Sequence, residues 1–375
     1  MPPRLFLGNF DFEHRLADPR YQPTKQLKRL NAELATAWLA IAEEGDWIWT
    51  PEPIDAGFFR SLETAGFPRV QPVVSLSDVP PGVECVPWGW SSDVRQLAEK
   101  HDLMVNAPSD IAVGMANARG TSSELERLLK VGLEGMESIR SIEQLRAVIE
   151  SQNSTEGRWV IKAEYGMSAR ERILGRGRLL STADEQWVRR RLDARINVYF
   201  EPWVERVGEI GIQIDVLVTG RPQLLGITPM LVDGRGQYAG SWFAYEESRF
   251  SDQRAFWPSA IETALEAARH LKSHGYFGPL GIDAMIYRDS DGELKLRPLQ
   301  DINARWTMGR LSLGWQRLLE LGEEGCWLRG SRCEDPDGLQ ITSRFSTTPD
   351  TIGRTPSRHE SQLVFGCGEG SVPEF

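Results

Sequence analysis

Two apolar segments on either side of an Asp-Gly turn constrain the fold more than any other feature of this sequence. GPLGIDAMIY (278–287) and LRPLQDINAR (296–305) have the length and composition of buried strands. The intervening RDSDGEL (288–294) favours a hairpin, because Asp-Gly readily supplies positive φ. Asp283 and Asp301 are almost equally far from this turn. The spacing therefore predicts that their carboxylates lie opposite each other, to within about one residue.

Strand periodicity adds two side chains to this pair. Alternate residues of a strand point to the same face, so Asp301, Asn303 and Arg305 should share one face of the hairpin. Two carboxylates, a carboxamide oxygen and a guanidinium would then converge. Such hard oxygen ligands suit Mg²⁺, which takes one or two carboxylates and completes its octahedron with water and phosphate oxygens. The alternative is a surface acidic pair with an exposed arginine.

The rest of the chain shows two patterns. Up to about residue 115, strand-like and helix-like segments alternate, which is typical of a parallel α/β domain. A smaller α+β unit should follow, in which GTSSELERLLKVGL (120–133) is a helix opened by its serines and WVIKAEYG (159–166) is a strand. Beyond about residue 335, turn formers replace periodicity and predict an irregular, peripheral tail.

Composition limits the classes of partner. An apolar content of 41% and a charged content of 26% are those of a globular protein. A formal charge of -10 gives no general attraction to nucleic acid, and the basic run 189–191 is flanked by acids, as on a solvated helix face. No apolar run approaches membrane-spanning length and the N-terminus is unlike a signal peptide. We therefore expect a cytoplasmic protein that binds neither nucleic acid nor membranes.

Lys162 is the candidate phosphate ligand. It precedes a segment that contains Gly166 and Ser168, whose backbone N–H groups could close over phosphate oxygens. We expect its ammonium to serve phosphate rather than a buried partner. The alternative is an ordinary edge-strand lysine. The sequence has no G-x-x-x-x-G-K-[ST] motif, which argues against a Walker-type nucleotide site.

Taken in order, these segments resemble the ATP-grasp superfamily over about residues 110 to 320. The similarity lies in the lysine strand, the segment YFEPWVE (199–205) and the two hairpin segments. The resemblance implies an ATP-grasp fold, in which two α+β subdomains enclose ATP, preceded by a parallel α/β domain. The implied regions are an N-terminal domain (1–115), a small subdomain with the phosphate-covering loop (116–198), a large subdomain with the adenine hinge and metal site (199–335), and the irregular tail (336–375).

The resemblance also implies site residues. ATP would be bound by Arg119, Lys162, Glu201, Trp203, Val204 and Glu209. Within this set Arg119 and Lys162 would contact phosphates, Glu201 and the backbone at 203–204 would meet adenine, and Glu209 would lie near the ribose. Mg²⁺, with Mn²⁺ as an alternative, would be held by Asp283, Asp301 and Asn303. Arg305 would contact the transferred phosphate or the intermediate, and with Lys162 would serve catalysis.

The implied reaction is that of an ADP-forming ligase. A small-molecule carboxylate would attack the γ-phosphate of Mg-ATP, and an amine would capture the acyl phosphate. The alternatives are a small-molecule kinase that uses the same site and a nucleotide-binding module without turnover. PWGWSSD (87–93) and LGNFDFEHR (7–15) are the substrate-side candidates, since serines and a helix start offer donors to a carboxylate. The identities of both substrates stay open, as does a homodimer.

Overall fold

The N-terminal region is built on a four-stranded parallel sheet. The computed structural model describes residues 3–151, 157–166, 171–233, 236–330 and 335–368. The strands of this first sheet are β1 (Arg4–Leu7), β2 (Trp47–Trp49), β3 (Gln71–Val73) and β4 (Glu84–Pro87), in the order β3-β2-β1-β4. Its helices are α1 (Phe12–Ala17), α2 (Lys25–Leu34), α3 (Ala56–Thr64) and α4 (Ser92–Lys100), with 3-10 turns at Ala35–Ala40 and Leu76–Asp78. The predicted parallel α/β organisation is confirmed.

A smaller antiparallel unit follows. Its four-stranded sheet, in the order β5-β8-β6-β7, contains β5 (Glu137–Ile139), β6 (Arg158–Ala163), β7 (Arg172–Arg176) and β8 (Val198–Pro202). Four helices precede or cover it: α5 (Asp110–Asn117), α6 (Arg119–Leu129), α7 (Ile142–Glu150) and α8 (Thr182–Asp193).

The start of α6 differs from the prediction that serines open this helix. It begins at Arg119, and Ser122 lies inside it with its hydroxyl donating to the Arg119 carbonyl oxygen. Glu164, just past β6, supplies the cap instead. Its carbonyl oxygen accepts from the Arg119 N–H at 3.0 Å and its carboxylate accepts from the Gly120 N–H at 2.9 Å. A cap from a distant part of the chain has no local sequence signal.

The third part is an eight-stranded antiparallel sheet. Its strands are β9 (Glu205–Val216), β10 (Gln223–Val232), β11 (Tyr238–Ala244), β12 (Gly278–Arg288), β13 (Leu294–Asn303), β14 (Glu324–Gly330), β15 (Leu339–Ser346) and β18 (Glu360–Gly368). The order is β13-β12-β9-β10-β11-β14-β18-β15, and a two-residue pair, β16 (Thr351–Ile352) and β17 (Thr355–Pro356), lies outside it. The helices are α9 (Ser251–Arg254), α10 (Trp257–Ser273) and α11 (Met308–Gly314), with 3-10 turns at Glu247–Phe250 and Trp315–Leu318.

The predicted hairpin is confirmed as β12 and β13. Gly292 has a φ of 83°, and the Asp289 carboxylate accepts from the N–H groups of Asp291 and Glu293. These contacts fix the turn, and Asp283 lies directly opposite Asp301 in the ladder. The turn sets the register as far as Met285, opposite Arg297, and an irregularity beyond this point brings Asp283 opposite Asp301.

The prediction of an irregular tail was wrong for the described part of residues 336–375. β18 pairs with both β14 and β15 and buries Leu363, Val364 and Phe365. The Ser- and Thr-rich composition misled the prediction, because these hydroxyls are satisfied inside the structure. Thr347, for example, bonds the carbonyl oxygen and the hydroxyl of Ser361. Across the described ranges, no helix combines the length and the hydropathy needed to cross a membrane.

We predict that Phe365→Ala destabilises the protein by about 3 to 5 kcal/mol, the cost of removing a buried aromatic ring. Phe365 is 2% exposed, and the centre of its ring lies 5.9 Å from the ring centre of Phe243 and 6.0 Å from that of Phe345. Denaturant unfolding measures the change. Arg344→Ala, on the exposed face of β15, is the control and should stay within about 0.5 kcal/mol of wild type. Equal stability of the two variants would place β18 outside the core.

Candidate active site

One cavity of about 850 Å³ collects the predicted site residues. It lies where the N-terminal region, the small sheet and the large sheet meet. All ten predicted side chains or backbone positions line it: Arg119, Lys162, Glu201, Trp203, Val204, Glu209, Asp283, Asp301, Asn303 and Arg305. Residues separated by almost 190 positions in the sequence therefore share one site.

The two opposed carboxylates form the acidic part of the cavity. Burial, together with the neighbouring carboxylates of Asp301 and Glu209, raises the pKa of Asp283 to about 7. The Asn303 amide donates to Asp283 Oδ2 at 3.2 Å. A carboxyl group with a raised pKa between two other carboxylates is a position where a cation would be stabilised. The chemistry of these donors therefore fits Mg²⁺.

The donor set is small. Among the described residues, no group of three or more His, Cys, Asp or Glu side chains is arranged to hold a metal ion. The predicted set has two carboxylates and one carboxamide, and Asn303 Oδ1 accepts from Arg305 Nη2 at 2.9 Å. Such a set leaves most positions of an octahedron to water and phosphate oxygens, as is common for Mg²⁺.

Lys162 corrects one prediction. Its ammonium has a buried partner, since Nζ lies 2.7 Å from Glu201 Oε2. Lys162 pairs with Tyr199 in the β6–β8 ladder, so Glu201 is its diagonal neighbour on the same face. Burial lowers the pKa of Lys162, against the opposing effect of Glu201. The ammonium therefore reaches the cavity from a charged pair, not as an isolated cation.

The sequence analysis did not predict two further charged residues, Arg297 and Glu126, that extend the Lys162–Glu201 pair into a network. Arg297 Nη1 donates to Glu201 Oε2 at 2.9 Å, and Arg297 Nε donates to Glu126 Oε1 at 2.7 Å. Arg297 and Glu126 are 3% and 1% exposed. The available signal was Arg297 itself, because a charged residue in the middle of an otherwise buried strand requires a partner.

Arg119 and the segment after Lys162 lie in the same cavity as the acidic pair, Asp283 and Asp301. Arg119 Nη2 donates to Asp301 Oδ2 at 3.4 Å, and its Nε donates to the Ala163 carbonyl oxygen at 3.2 Å. Gly166 lines the cavity. Ser168, in the predicted phosphate-covering loop, lies outside the described residues.

The predicted adenine hinge joins β8 to β9. The Trp203 N–H donates to the Arg158 carbonyl oxygen at 2.9 Å, whereas the Val204 N–H has no hydrogen-bond partner among the described residues. Of these two donors only the Val204 N–H is therefore open to a ligand. Arg206 lies over the Trp203 ring at 4.3 Å and donates to Glu209 Oε1 at 2.9 Å, so the predicted ribose ligand is already paired.

Arg305 lies two residues beyond the end of β13, and its side chain bonds to the N-terminal region. Its Nε donates to Glu13 Oε1 at 2.6 Å, and its guanidinium lies 5.2 Å from the centre of the Trp88 ring. Glu13 and Trp88 belong to the two predicted substrate-side segments and line the cavity. The serines do not: Ser91 donates its hydroxyl to Asp93 Oδ1 at 2.6 Å.

We predict that Asp283→Asn raises the melting temperature of the metal-free protein more at pH 8 than at pH 5. The pKa of Asp283 rises from 3.8 to about 7 on folding, so its contribution to stability falls as pH rises through that window. Removing the charge relieves the repulsion at pH 8. We expect the melting temperature of the variant to rise by a few degrees at pH 8, because each kcal/mol of added stability shifts it by about 2 to 4 °C in a domain of 150 to 250 residues.

Differential scanning calorimetry at both pH values measures this effect. Asp291→Asn, an exposed carboxylate on the hairpin turn, is the matched control and should change little. Mg²⁺ should raise the melting temperature of the wild type but not of Asp283→Asn. The same shift in both variants at both pH values would show that Asp283 is not under electrostatic strain.

The fold is similar to that of several solved structures. A biotin carboxylase–β,γ-ATP complex from Campylobacter jejuni superposes with a TM-score of 0.52 at 12% identity, over 98% of this chain and 88% of that one. An N5-carboxyaminoimidazole synthetase from Staphylococcus aureus with ADP gives 0.52 at 11% identity, over 98% and 93%. The N5-carboxyaminoimidazole ribonucleotide synthetase of Thermus thermophilus gives 0.51 at 14% identity, over 90% and 92%.

Comparisons of the sequence found no similar protein, in contrast to the comparison of the structure. No family model matches the sequence, and no curated protein matches it significantly. The three similar structures have the ATP-grasp fold, and the similarity extends over 90 to 98% of this chain. The chain therefore has the ATP-grasp fold, preceded by a parallel α/β domain.

Proposed function

We propose that this protein is an ADP-forming ligase that activates a small-molecule carboxylate as an acyl phosphate and couples it to an amine. One observation carries the proposal: a single cavity combines an acidic pair, three cationic side chains and a hinge N–H without a protein partner among the described residues. The acidic pair is Asp283 and Asp301, and the cations are Arg119, Lys162 and Arg305. The ATP and ADP complexes among the similar structures support a nucleotide in this cavity.

Phosphoryl transfer needs positioning and charge neutralisation more than covalent help from the protein. A carboxylate oxygen attacks the γ-phosphorus, the bond to ADP breaks, and the amine then displaces phosphate from the acyl carbon. Magnesium held by Asp283, Asp301 and Asn303 would neutralise phosphate charge during this transfer. Arg305 offers a guanidinium to the transferred group.

The charged network allows Lys162 to change partner. Glu201 accepts from both Lys162 and Arg297. If Lys162 turns to a phosphate oxygen, Arg297 keeps Glu201 paired. The cost of an uncompensated buried carboxylate is thus avoided. The same arrangement holds Lys162 in the cavity before the nucleotide arrives.

A screen of ADP release tests the proposal. Mixed amino acids and small carboxylic acids are supplied with Mg-ATP, and hydroxylamine is added to trap acyl phosphate as a hydroxamate. A ligase gives ADP and hydroxamate, whereas a kinase gives ADP and a phosphorylated hydroxyl without hydroxamate. Asp301→Asn should abolish both products. Absence of ADP release and of Mg-ATP binding in the wild type would refute the proposal.

We predict that Lys162→Met lowers Mg-ATP affinity or turnover by about 10- to 100-fold, on the scale of one lost charged contact. It should also lower the melting temperature, because Glu201 loses one of its two cationic partners. Isothermal titration and calorimetry measure the two effects. Lys295→Met, which removes a half-exposed lysine of β13 outside the cavity, is the control. Lower stability with unchanged affinity per folded molecule would make Lys162 purely structural.

A further inference from the structure

The guanidinium of Arg305 is held mainly by an N-terminal residue. Glu13 accepts from its Nε at 2.6 Å and also contacts Nη2. The remaining contacts are local: Nη2 donates to Asn303 Oδ1 and Nη1 donates to the Trp306 carbonyl oxygen, each at 2.9 Å. A guanidinium has five N–H groups, so one on Nη1 is left for a ligand in the cavity that Arg305 lines.

Glu13 is itself fixed by the surrounding backbone. The segment before α1 is tied to the turn after β4, because the Asn9 side chain donates to the Gly89 carbonyl oxygen at 2.8 Å. That turn is tied to the end of the hairpin, since the Trp306 N–H donates to the Trp88 carbonyl oxygen at 3.1 Å. Glu13 is therefore placed by a chain of contacts that ends at Arg305.

The second carboxylate oxygen of Glu13 argues against a purely stabilising role for the Glu13–Arg305 ion pair. Glu13 is 5% exposed, and its Oε2 has no hydrogen-bond partner among the described residues. A buried carboxylate used only for stability normally has both oxygens satisfied. Here one oxygen orients the arginine, at a stability cost that an apolar contact at the same place would not have.

We propose that Glu13 is a positioning residue for the phosphoryl group. It acts through Arg305 by aiming the guanidinium into the cavity, and so makes the N-terminal region a part of the site. This inference rests on the proposed function, because it assumes that Arg305 meets the transferred phosphate. Removing the Glu13 charge should leave nucleotide binding intact and weaken only the interaction of Arg305 with the phosphoryl group during its transfer.

The test uses Mg-ADP with aluminium fluoride, a planar mimic of the transferred phosphoryl group, so no substrate needs to be known. Affinities for Mg-ADP alone and with fluoride are measured for wild type and Glu13→Gln. We expect Mg-ADP affinity to change less than about twofold and the fluoride complex to weaken about tenfold, on the scale of one charge-assisted contact. Arg305→Ala should show the same selective loss.

Asp46→Asn is the matched control. Asp46 is also a buried N-terminal carboxylate, 3% exposed and 2.6 Å from Arg4, but it does not line the cavity. It should lower the melting temperature without a selective effect on fluoride. If Glu13→Gln does not fold, Glu13→Asp, which keeps the charge one methylene shorter, should give a smaller selective loss.

The outcomes separate the two hypotheses. A wild type that binds neither Mg-ADP nor its fluoride complex would overturn the proposed function. A wild type that binds both, with Glu13→Gln equal to it or to the Asp46→Asn control, would overturn the positioning role alone. A loss of Mg-ADP affinity equal to the loss of the fluoride complex would also contradict it, since the effect would then not be specific to the phosphoryl group.

Discussion

The pairing of Arg297 with two carboxylates from different parts of the chain holds the site together. Arg297 lies on β13 of the large sheet, Glu201 on β8 of the small sheet and Glu126 on α6. Burial raises the pKa of Glu201 and the cations around it lower it more strongly, so that group is ionised. Removing one member of a buried pair typically costs about 3 to 5 kcal/mol. The relative position of the two sheets, and hence the cavity between them, depends on this contact.

The network also organises charge along β13. Within nine residues, the strand and its continuation present Arg297, the acidic pair partner Asp301 and then Arg305 to one cavity. The ladder between β12 and β13 also has an irregularity, between the partners Asp283–Asp301 and Met285–Arg297. Pro298 lies in that interval and cannot donate to a ladder. As a result, both Gln300 and Asp301 line the cavity, which strict alternation would forbid.

Features set by local chemistry could be predicted from the sequence, and features set by distant partners could not. The hairpin follows from a turn of a few residues, so the sequence predicted that Asp283 and Asp301 lie near each other. The ladder irregularity that places them directly opposite does not follow from the turn. Glu13 reaches Arg305 across 292 positions, and no spacing rule connects them. The Glu164 cap of α6 and the Lys162–Glu201 ion pair could not be predicted for the same reason, because their partners are also distant in the sequence. The roles assigned to the cavity residues stay predictions, because geometry alone does not identify a ligand.

The order of strands in the large sheet has a consequence for biosynthesis. β18 follows β15 in the chain but lies between β14 and β15 in the sheet. Among the strands that the structure describes, β15 pairs only with β18, so its edge stays open during translation until β18 has left the ribosome. Domains generally fold as units when their sequence is complete. The strands of the parallel sheet all lie before residue 88, whereas the large sheet cannot be completed until β18, residues 360–368, has been synthesised.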